Sequence, residues 1–369
     1  MFLAQGEPDW RMLHSIYQAC VDNSDVEISV VDIGWGTWHG ISTYTGPLLE
    51  QLAIPFIDGR SDSRVLQDFK PSVILLTSPY DQFRPSDYEA AKLAKIAKLV
   101  YLPYGVDFSG ATGELALNTF GLATQKLAWR IYTRSSATVP KYCEYAGKSP
   151  GEVVPLGLPV FDHFFTSEAF DGVPDDVVVR SRGKFKILYT PHHALECWST
   201  FLNYGPTIRS ILQQQEDYFM IFRPHPGLGY SLQAEGLLSI DEFRQYFDSE
   251  RVYFQDCGEF FGAMRWSDLL VSDASSMLFQ YAPTRRPILY THLNGGWGLD
   301  ETIRDEVFDS YYVVNDANQI GEHLRLIQGG VDPKRDQRRA AQERIIPKVF
   351  APGAGARIVD SMVRDLRKA

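Results

Sequence analysis

Three short segments in the second half of the 369-residue chain carry side chains suited to holding and moving phosphate. Thr190-Pro191-His192-His193, Arg223-Pro224-His225-Pro226 and Ser272-Asp273-Ala274-Ser275-Ser276 each follow an apolar run that reads as a buried strand. Together they offer imidazole, guanidinium, hydroxyl groups and the start of a helix, the donor set that a pyrophosphate requires. The helix is read from Met277, Phe279 and Tyr281 after the serines, with Pro283 ending it. Its dipole puts about half a positive charge at its first turn. Each feature also has a plainer reading. Asp273 or Ser275 serves as a helix cap, a histidine supports its loop, and Arg286, at the far end of the helix, complements the dipole. His225 stands apart because prolines on both sides fix its backbone at a strand exit. An imidazole so rigidly mounted suits proton transfer or charge neutralisation. Of His192 and His193, one is expected to face the site and the other to support the loop.

These segments need a parallel sheet to gather them. Strands are expected at residues 185–189, 218–222, 252–255, 269–271 and 287–290, with helices between them and further helices near 317–328 and 333–344. The first half repeats the rhythm, with strands at 27–33, 73–77, 99–102, 130–133 and 153–156 and helices near 43–52, 87–98, 116–128 and 140–146. Such alternation implies an α/β protein with doubly wound parallel sheets. The first expected strand runs into Gly34-Trp35-Gly36-Thr37-Trp38-His39-Gly40, a glycine-rich turn where a ligand could approach closely, though without dinucleotide-fingerprint spacing. A charged stretch at 166–184 reads as a linker. The resulting division is an acceptor-side Rossmann-like domain over 1–165, a donor-binding one over 185–345, and a last helix in 346–369 crossing back to the first domain. Two such domains carry their ligand loops at the carboxyl ends of their strands. Facing across a cleft, they make the GT-B-like arrangement.

Composition narrows the function classes. A formal net charge of −10 argues against broad nucleic-acid binding. No apolar run approaches the roughly 20 residues of a membrane-spanning helix. The opening MFLAQGEPDW lacks the basic-then-apolar order of a secretory signal, so a cytoplasmic protein is expected. Cys20, Cys143, Cys197 and Cys257 show no metal-binding spacing. Basic residues gather towards the C-terminus, from Lys334 and Arg335 to Arg367 and Lys368. They read as a solvated helix face or as a contact with the inner face of an acidic membrane.

Arg-Pro-His-Pro at 223–226, Ser-Asp-Ala-Ser-Ser at 272–276 and Tyr281-Ala282 with Arg286-Pro287-Ile288 resemble the CDP-glycerol glycerophosphotransferase family of teichoic-acid and capsule synthesis. Pro79-Tyr80-Asp81 and Tyr101-Leu102-Pro103-Tyr104-Gly105 resemble N-terminal segments of its capsule-type branch. The resemblance implies transfer of a polyol phosphate, glycerol phosphate by default, from a CDP-activated donor to a polysaccharide or lipid-linked hydroxyl, releasing CMP. It implies that Asp273, Ser275 and Ser276 hold the donor phosphates, with His225 at the reacting phosphate; Thr190, His192, His193, Arg223 and Arg286 are expected to bind the donor beside them. Tyr80, Asp81 and Tyr104 would serve the acceptor. Wall-polymer members carry Trp-His-Gly-Thr near the place of Tyr104-Gly105, and that histidine is absent here. His39 is then expected as the base because an unperturbed imidazole matches neutral pH, with Asp107 as the alternative. No cofactor is firmly implied; a loosely held Mg²⁺ is compatible with the chemistry. Two other functions fit the same fold: a nucleotide-sugar glycosyltransferase or epimerase, and a polymer-binding scaffold without catalysis.

Overall fold

The computed structural model describes residues 1–38, 41–60, 64–106, 112–166, 172–256, 258, 260–293 and 298–368. His39 and Asp107 lie outside the described residues. In the first half, Phe2–Ala4 forms β1, Val30–Asp32 β2, Trp35–Trp38 β3, Ile41–Thr43 β4, Ile57–Asp58 β5, Val73–Leu76 β6, Lys98–Tyr101 β7, Arg130–Thr133 β8 and Val153–Pro155 β9. In the second, Phe185–Thr190 forms β10, Tyr218–Phe222 β11, Val252–Phe254 β12, Leu269–Ser272 β13, Ile288–Thr291 β14 and Tyr312–Val314 β15. Two parallel sheets result, ordered β5-β2-β1-β6-β7-β8-β9 and β12-β11-β10-β13-β14-β15, with β3 and β4 as a separate antiparallel pair. Strands with both faces covered read as unbroken apolar runs, and Tyr218–Phe222 is buried at every position.

Two compact units contain these sheets. One comprises Met1–Asp107, Thr112–Thr166 and Pro347–Ala369; the other is built on Ser167–Ile346. In each sheet the chain winds outward on one side of a founding strand, then returns to its other side. The switch points are β1/β6 and β10/β13, the places where doubly wound folds bind ligands at the carboxyl ends of strands.

Several expected elements change. The first strand is Phe2–Ala4, not residues 27–33: three fully buried residues suffice for a strand paired on both sides, but not for a periodic signal. The glycine-rich turn after β2 is the β3/β4 pair, and the following helix shortens to Gly46–Gln51. Asp32 organises this passage, accepting from the backbone N–H of Gly34, Thr45 and Gly46 at 3.0, 3.2 and 2.8 Å. The helix expected at 116–128 breaks at Gly121 into Glu114–Phe120 and Ala123–Leu127. The stretch read as a linker carries the helix Asp175–Arg180, and Arg180 donates to the carbonyl of Glu250 within the second unit. Part of the basic C-terminal run is engaged within the chain. Arg338 pairs with Asp332, Arg357 donates to the carbonyls of Leu156, Ala351 and Pro352, and Arg367 pairs with Asp25. Among the described residues no helix is long and apolar enough to cross a membrane.

The last helix, Ala354–Leu366, packs on the helix Glu7–Val21 of the first unit. Its start is held by Asp162, whose carboxylate accepts from the N–H groups of Gly353, Ala354 and Gly355 at 2.8–3.0 Å. Gly355 lies so close to Ser15 that an added Cβ would meet its backbone at 2.6 Å. We expect Asp162→Ala to lower stability by about 1–3 kcal/mol, because three N–H groups lose their acceptor. Gly355→Val should lower the Tm further, and a melt that moves for neither variant would show the helix to be dispensable.

Asp9, in the first turn of Glu7–Val21, is 4% exposed. Burial pushes its carboxyl up to about 7, against the Thr77 hydroxyl and the Arg84 charge, which both favour ionisation. A carboxyl whose folded pKa exceeds its unfolded value contributes stability that is full below about pH 4 and is lost as pH rises through about 7. The stability difference between wild type and Asp9→Asn, measured by urea titration, should therefore shrink from pH 4 to 7 and level off above. A difference that grows with pH would reverse the assignment.

Candidate functional site

At the β10/β13 switch point, β10 delivers Thr190 and the loop Pro191–Thr200, while β13 delivers Ser272, Asp273 and Ser275. The neighbouring β11 delivers Arg223 and His225. Parallel register sets Thr190 beside Ser272. The Thr190 hydroxyl donates to Ser272 Oγ at 2.8 Å, Ser272 donates back to the Thr190 carbonyl at 3.0 Å, and Ser275 Oγ lies 3.0 Å from Ser272 Oγ.

Asp273 is fully buried and its carboxylate turns into its own domain. It accepts from the N–H of His192 at 2.9 and 3.0 Å and from the N–H of Thr200 at 2.9 Å, so both ends of one loop hang on it. Burial pushes its carboxyl up to about 7, and these N–H donors oppose that rise. The residue read as a phosphate partner or helix cap thus pins the histidine-bearing loop. Thr200, which carried no sequence signal of its own, completes the clasp through its hydroxyl, 2.7 Å from that of Thr291.

The loops place three imidazoles together. Ring centroids are 4.3 Å apart for His192–His193, 4.2 Å for His193–His225 and 5.2 Å for His192–His225. One ring nitrogen of each lies within 4.8 Å of those of the other two. Trp198 closes one side, its ring edge-on to His192 at 5.0 Å. Nδ1 of His192 accepts from the N–H of Ala194, and Nδ1 of His225 from the N–H of Gly227, both at 3.1 Å. Each neutral ring therefore carries its proton on Nε2. Burial, then the neighbouring imidazoles, holds His192 well below the usual range; burial and His193 bring His225 down to about 3. Neither ring is charged at neutral pH. Three close imidazoles would suit a transition metal, but a backbone N–H on Nδ1 leaves Nε2 as a donor rather than a lone pair. Two rings of the cluster thus present N–H groups, which suit anionic oxygen.

The other expected residues fall in several places. Arg223 is half-buried and donates to the carbonyl of Gly258 at 2.8 Å. Ser276 begins a helix of only four residues, Met277–Gln280, and makes no side-chain cap. Arg286 sits at the opposite, amino-terminal edge of the sheet, just before β14, where it donates to the carbonyls of Met264, Arg265 and Ser267. It completes the end of the helix Phe261–Trp266 and is remote from the imidazoles by topology. In the first unit, Asp81 accepts from the N–H of Ala90 at 3.0 Å and pairs with the buried Arg84 at 3.0 Å, so it secures its own loop. Tyr80 is half-buried against Phe83, and Tyr104 is 43% exposed.

Residues 135–311 match the family described as CDP-Glycerol:Poly(glycerophosphate) glycerophosphotransferase. Two curated relatives are the teichoic acid ribitol-phosphate polymerases TarK and TarL of Staphylococcus aureus. TarK is 24% identical over 251 residues, 65% of this chain and 45% of that protein; TarL is 23% identical over 253 residues, 66% and 41%. The chain thus spans less than half the length of either. Among solved structures, a UDP complex of MnaA from S. aureus superposes with a TM-score of 0.68 at 14% identity, covering 100% of this chain and 96% of that one. The wall teichoic acid polymerase TagF gives 0.60 at 11%, covering 100% and 89%. At these identities the likeness is one of fold, and the two Rossmann-like domains are those of the GT-B class.

Removing the Asp273 carboxylate leaves the N–H groups of His192 and Thr200 buried without an acceptor. We expect Asp273→Ala to cost about 2–6 kcal/mol, at 1–3 kcal/mol per orphaned donor. Unchanged cooperative unfolding in urea would show that the loop is held by other means.

Proposed function

We propose, for a chain that belongs to the CDP-glycerol glycerophosphotransferase family, that it moves a polyol phosphate from a CDP-activated donor to a hydroxyl of a teichoic-acid-like or other cell-surface polymer. The observation that carries this reading is the imidazole cluster at the β10/β13 switch point, set within the stretch that matches the family. Glycerol phosphate and ribitol phosphate are the candidate groups transferred.

Phosphoryl transfer relies chiefly on positioning and on neutralising charge that spreads over the phosphate oxygens. The Nε2–H groups of His192 and His225 provide donors fixed by backbone hydrogen bonds at the opposite ring nitrogen. Arg223, next to Pro224 at the same strand exit, supplies the guanidinium charge. The acceptor hydroxyl attacks the β-phosphorus in line, the bond to the bridging oxygen breaks, and CMP leaves. The hydroxyl proton passes to a base that we assign to His39, with Asp107 as the alternative. Mg²⁺ prefers oxygen ligands, so the imidazoles are poor ligands for it, and any Mg²⁺ would bind through the donor's own phosphates.

The test is a donor panel of CDP-glycerol, CDP-ribitol and UDP-N-acetylglucosamine, each with a polyol-phosphate primer. CMP release with a CDP donor is expected, and His225→Ala should lower it by about 10²–10⁴-fold, the usual worth of a positioned proton-bearing group. Product formed from the UDP donor would instead point to a nucleotide-sugar enzyme. Tight primer binding with no nucleotide release would identify a scaffold.

A further inference from the structure

Beside the switch point, the carboxyl end of β14 carries two polar side chains to which the site has so far given no part. Parallel register pairs Thr190 with Ser272 and Ser272 with Tyr290, so these three stand in one row on the same face of the sheet, about 4.8 Å apart from strand to strand. Thr291 turns to the other face, where its hydroxyl meets that of Thr200 at 2.7 Å. His292, the first residue beyond the strand, returns to the side of Tyr290, its ring edge-on to the tyrosine at 5.9 Å. Phe308, just past the helix Glu301–Val307, closes against the same tyrosine at 6.1 Å.

The backbone here is satisfied and the side chains are not. The N–H of His292 donates to the Val314 carbonyl at 2.9 Å, and its own carbonyl accepts from the Tyr204 hydroxyl at 3.1 Å. Nδ1 of the half-buried His292 ring is buried and, among the described residues, without a hydrogen-bond partner. Tyr290 is 2% exposed, and its hydroxyl makes no hydrogen bond among the described residues. Burial first, then the charge of Asp273, pushes that hydroxyl above its usual range, so it keeps its proton and both donates and accepts. Buried polar groups are normally paired. Two neighbours without partners, beside the hydroxyl row of Thr190, Ser272 and Ser275, mark a place where another molecule supplies them. A phenol and an imidazole each offer a donor and an acceptor, as hydroxyl groups do.

We propose that Tyr290 and His292 form a subsite for hydroxyl groups of a CDP-polyol donor, those of the polyol or those of the ribose. This rests on the functional reading above. The subsite holds and orients the donor through uncharged hydrogen bonds, next to the imidazoles that meet its diphosphate, and no bond forms or breaks there.

The probes are CDP-glycerol, CDP-ribitol, CDP and inorganic pyrophosphate, each titrated calorimetrically into the wild-type chain, Tyr290→Phe and His292→Ala. Tyr290→Phe removes one oxygen that bonds to nothing in the chain, so its urea midpoint should equal that of the wild type. Its Kd for the CDP-polyols should rise about 3- to 10-fold, the worth of one uncharged hydrogen bond. His292→Ala should raise it by a similar factor; if that variant does not fold, Tyr290→Phe carries the test alone. A loss confined to CDP-glycerol and CDP-ribitol puts the polyol in the subsite, a loss shared with CDP puts the ribose there, and either upholds the proposal. Unchanged affinity for every probe in the folded variants overturns it while leaving the functional reading intact. An equal loss for pyrophosphate would make this a site for anions, and a lower urea midpoint with unchanged affinity would make the hydroxyl structural; each also overturns it alone. No binding of either CDP-polyol by the wild type overturns both readings.

Discussion

The second domain depends on one buried carboxylate. Asp273 ends β13 and receives the backbone N–H groups of His192 and Thr200, the two ends of the loop that follows β10. A carboxylate moved out of water is costly unless its lone pairs are filled. That requirement ties down both ends of the loop at 191–200, whose N–H groups reach the acid. Once the loop is fixed, so are the ring positions of His192 and His193. Both lie at the switch point, where the parallel register had already placed the ends of β10 and β13 side by side.

The imidazoles then polarise the site through position and tautomer rather than through charge. Backbone N–H groups on Nδ1 of His192 and His225 place the proton of each neutral ring on Nε2. Such donors are pre-oriented and need no reorganisation when negative charge arrives, the condition under which a hydrogen bond contributes most to stabilising a transition state. The family match covers residues 135–311 and so contains this whole constellation. The fold likeness extends across the entire chain, to enzymes as different as MnaA and TagF. A GT-B scaffold thus presents similar switch points to different chemistries, and the side chains at the strand ends decide between them.

The first unit uses the same device at lower polarity. Asp32 gathers three backbone N–H groups after β2, Asp273 gathers two after β13, and Asp162 gathers three at the start of the last helix. A carboxylate that accepts several N–H groups thus holds an irregular connection at two strand ends and at one helix start. Asp9 is as deeply buried, and burial pushes its carboxyl up to about 7 as it does that of Asp273, with the Thr77 hydroxyl and the Arg84 charge opposing the rise in place of the Thr200 and His192 N–H groups.

Alternating apolar runs and donor-rich turns made the doubly wound sheets legible from the residues, because strands buried on both faces have no polar positions to blur them. Arg223-Pro224-His225-Pro226 and Ser272-Asp273-Ala274-Ser275-Ser276 also marked the strand ends that meet at and beside the β10/β13 switch point. Strands of three residues, such as Phe2–Ala4 and Tyr312–Val314, escaped because neighbours rather than periodicity define them. The direction a side chain takes was likewise beyond the sequence. Asp273 and Ser275 have the same local pattern whether they meet a phosphate, cap a helix or bind a loop, and only the loop 81 residues upstream decides for Asp273. Arg286 sits in a segment shared with the family, yet the strand direction of β14 puts it at the edge away from the imidazoles. The convergence of His192, His193 and His225 was decided by register together with the Asp273 clasp, since parallel pairing of β10 with β11 and β13 makes distant segments neighbours and the acid holds the loop that carries two of the rings.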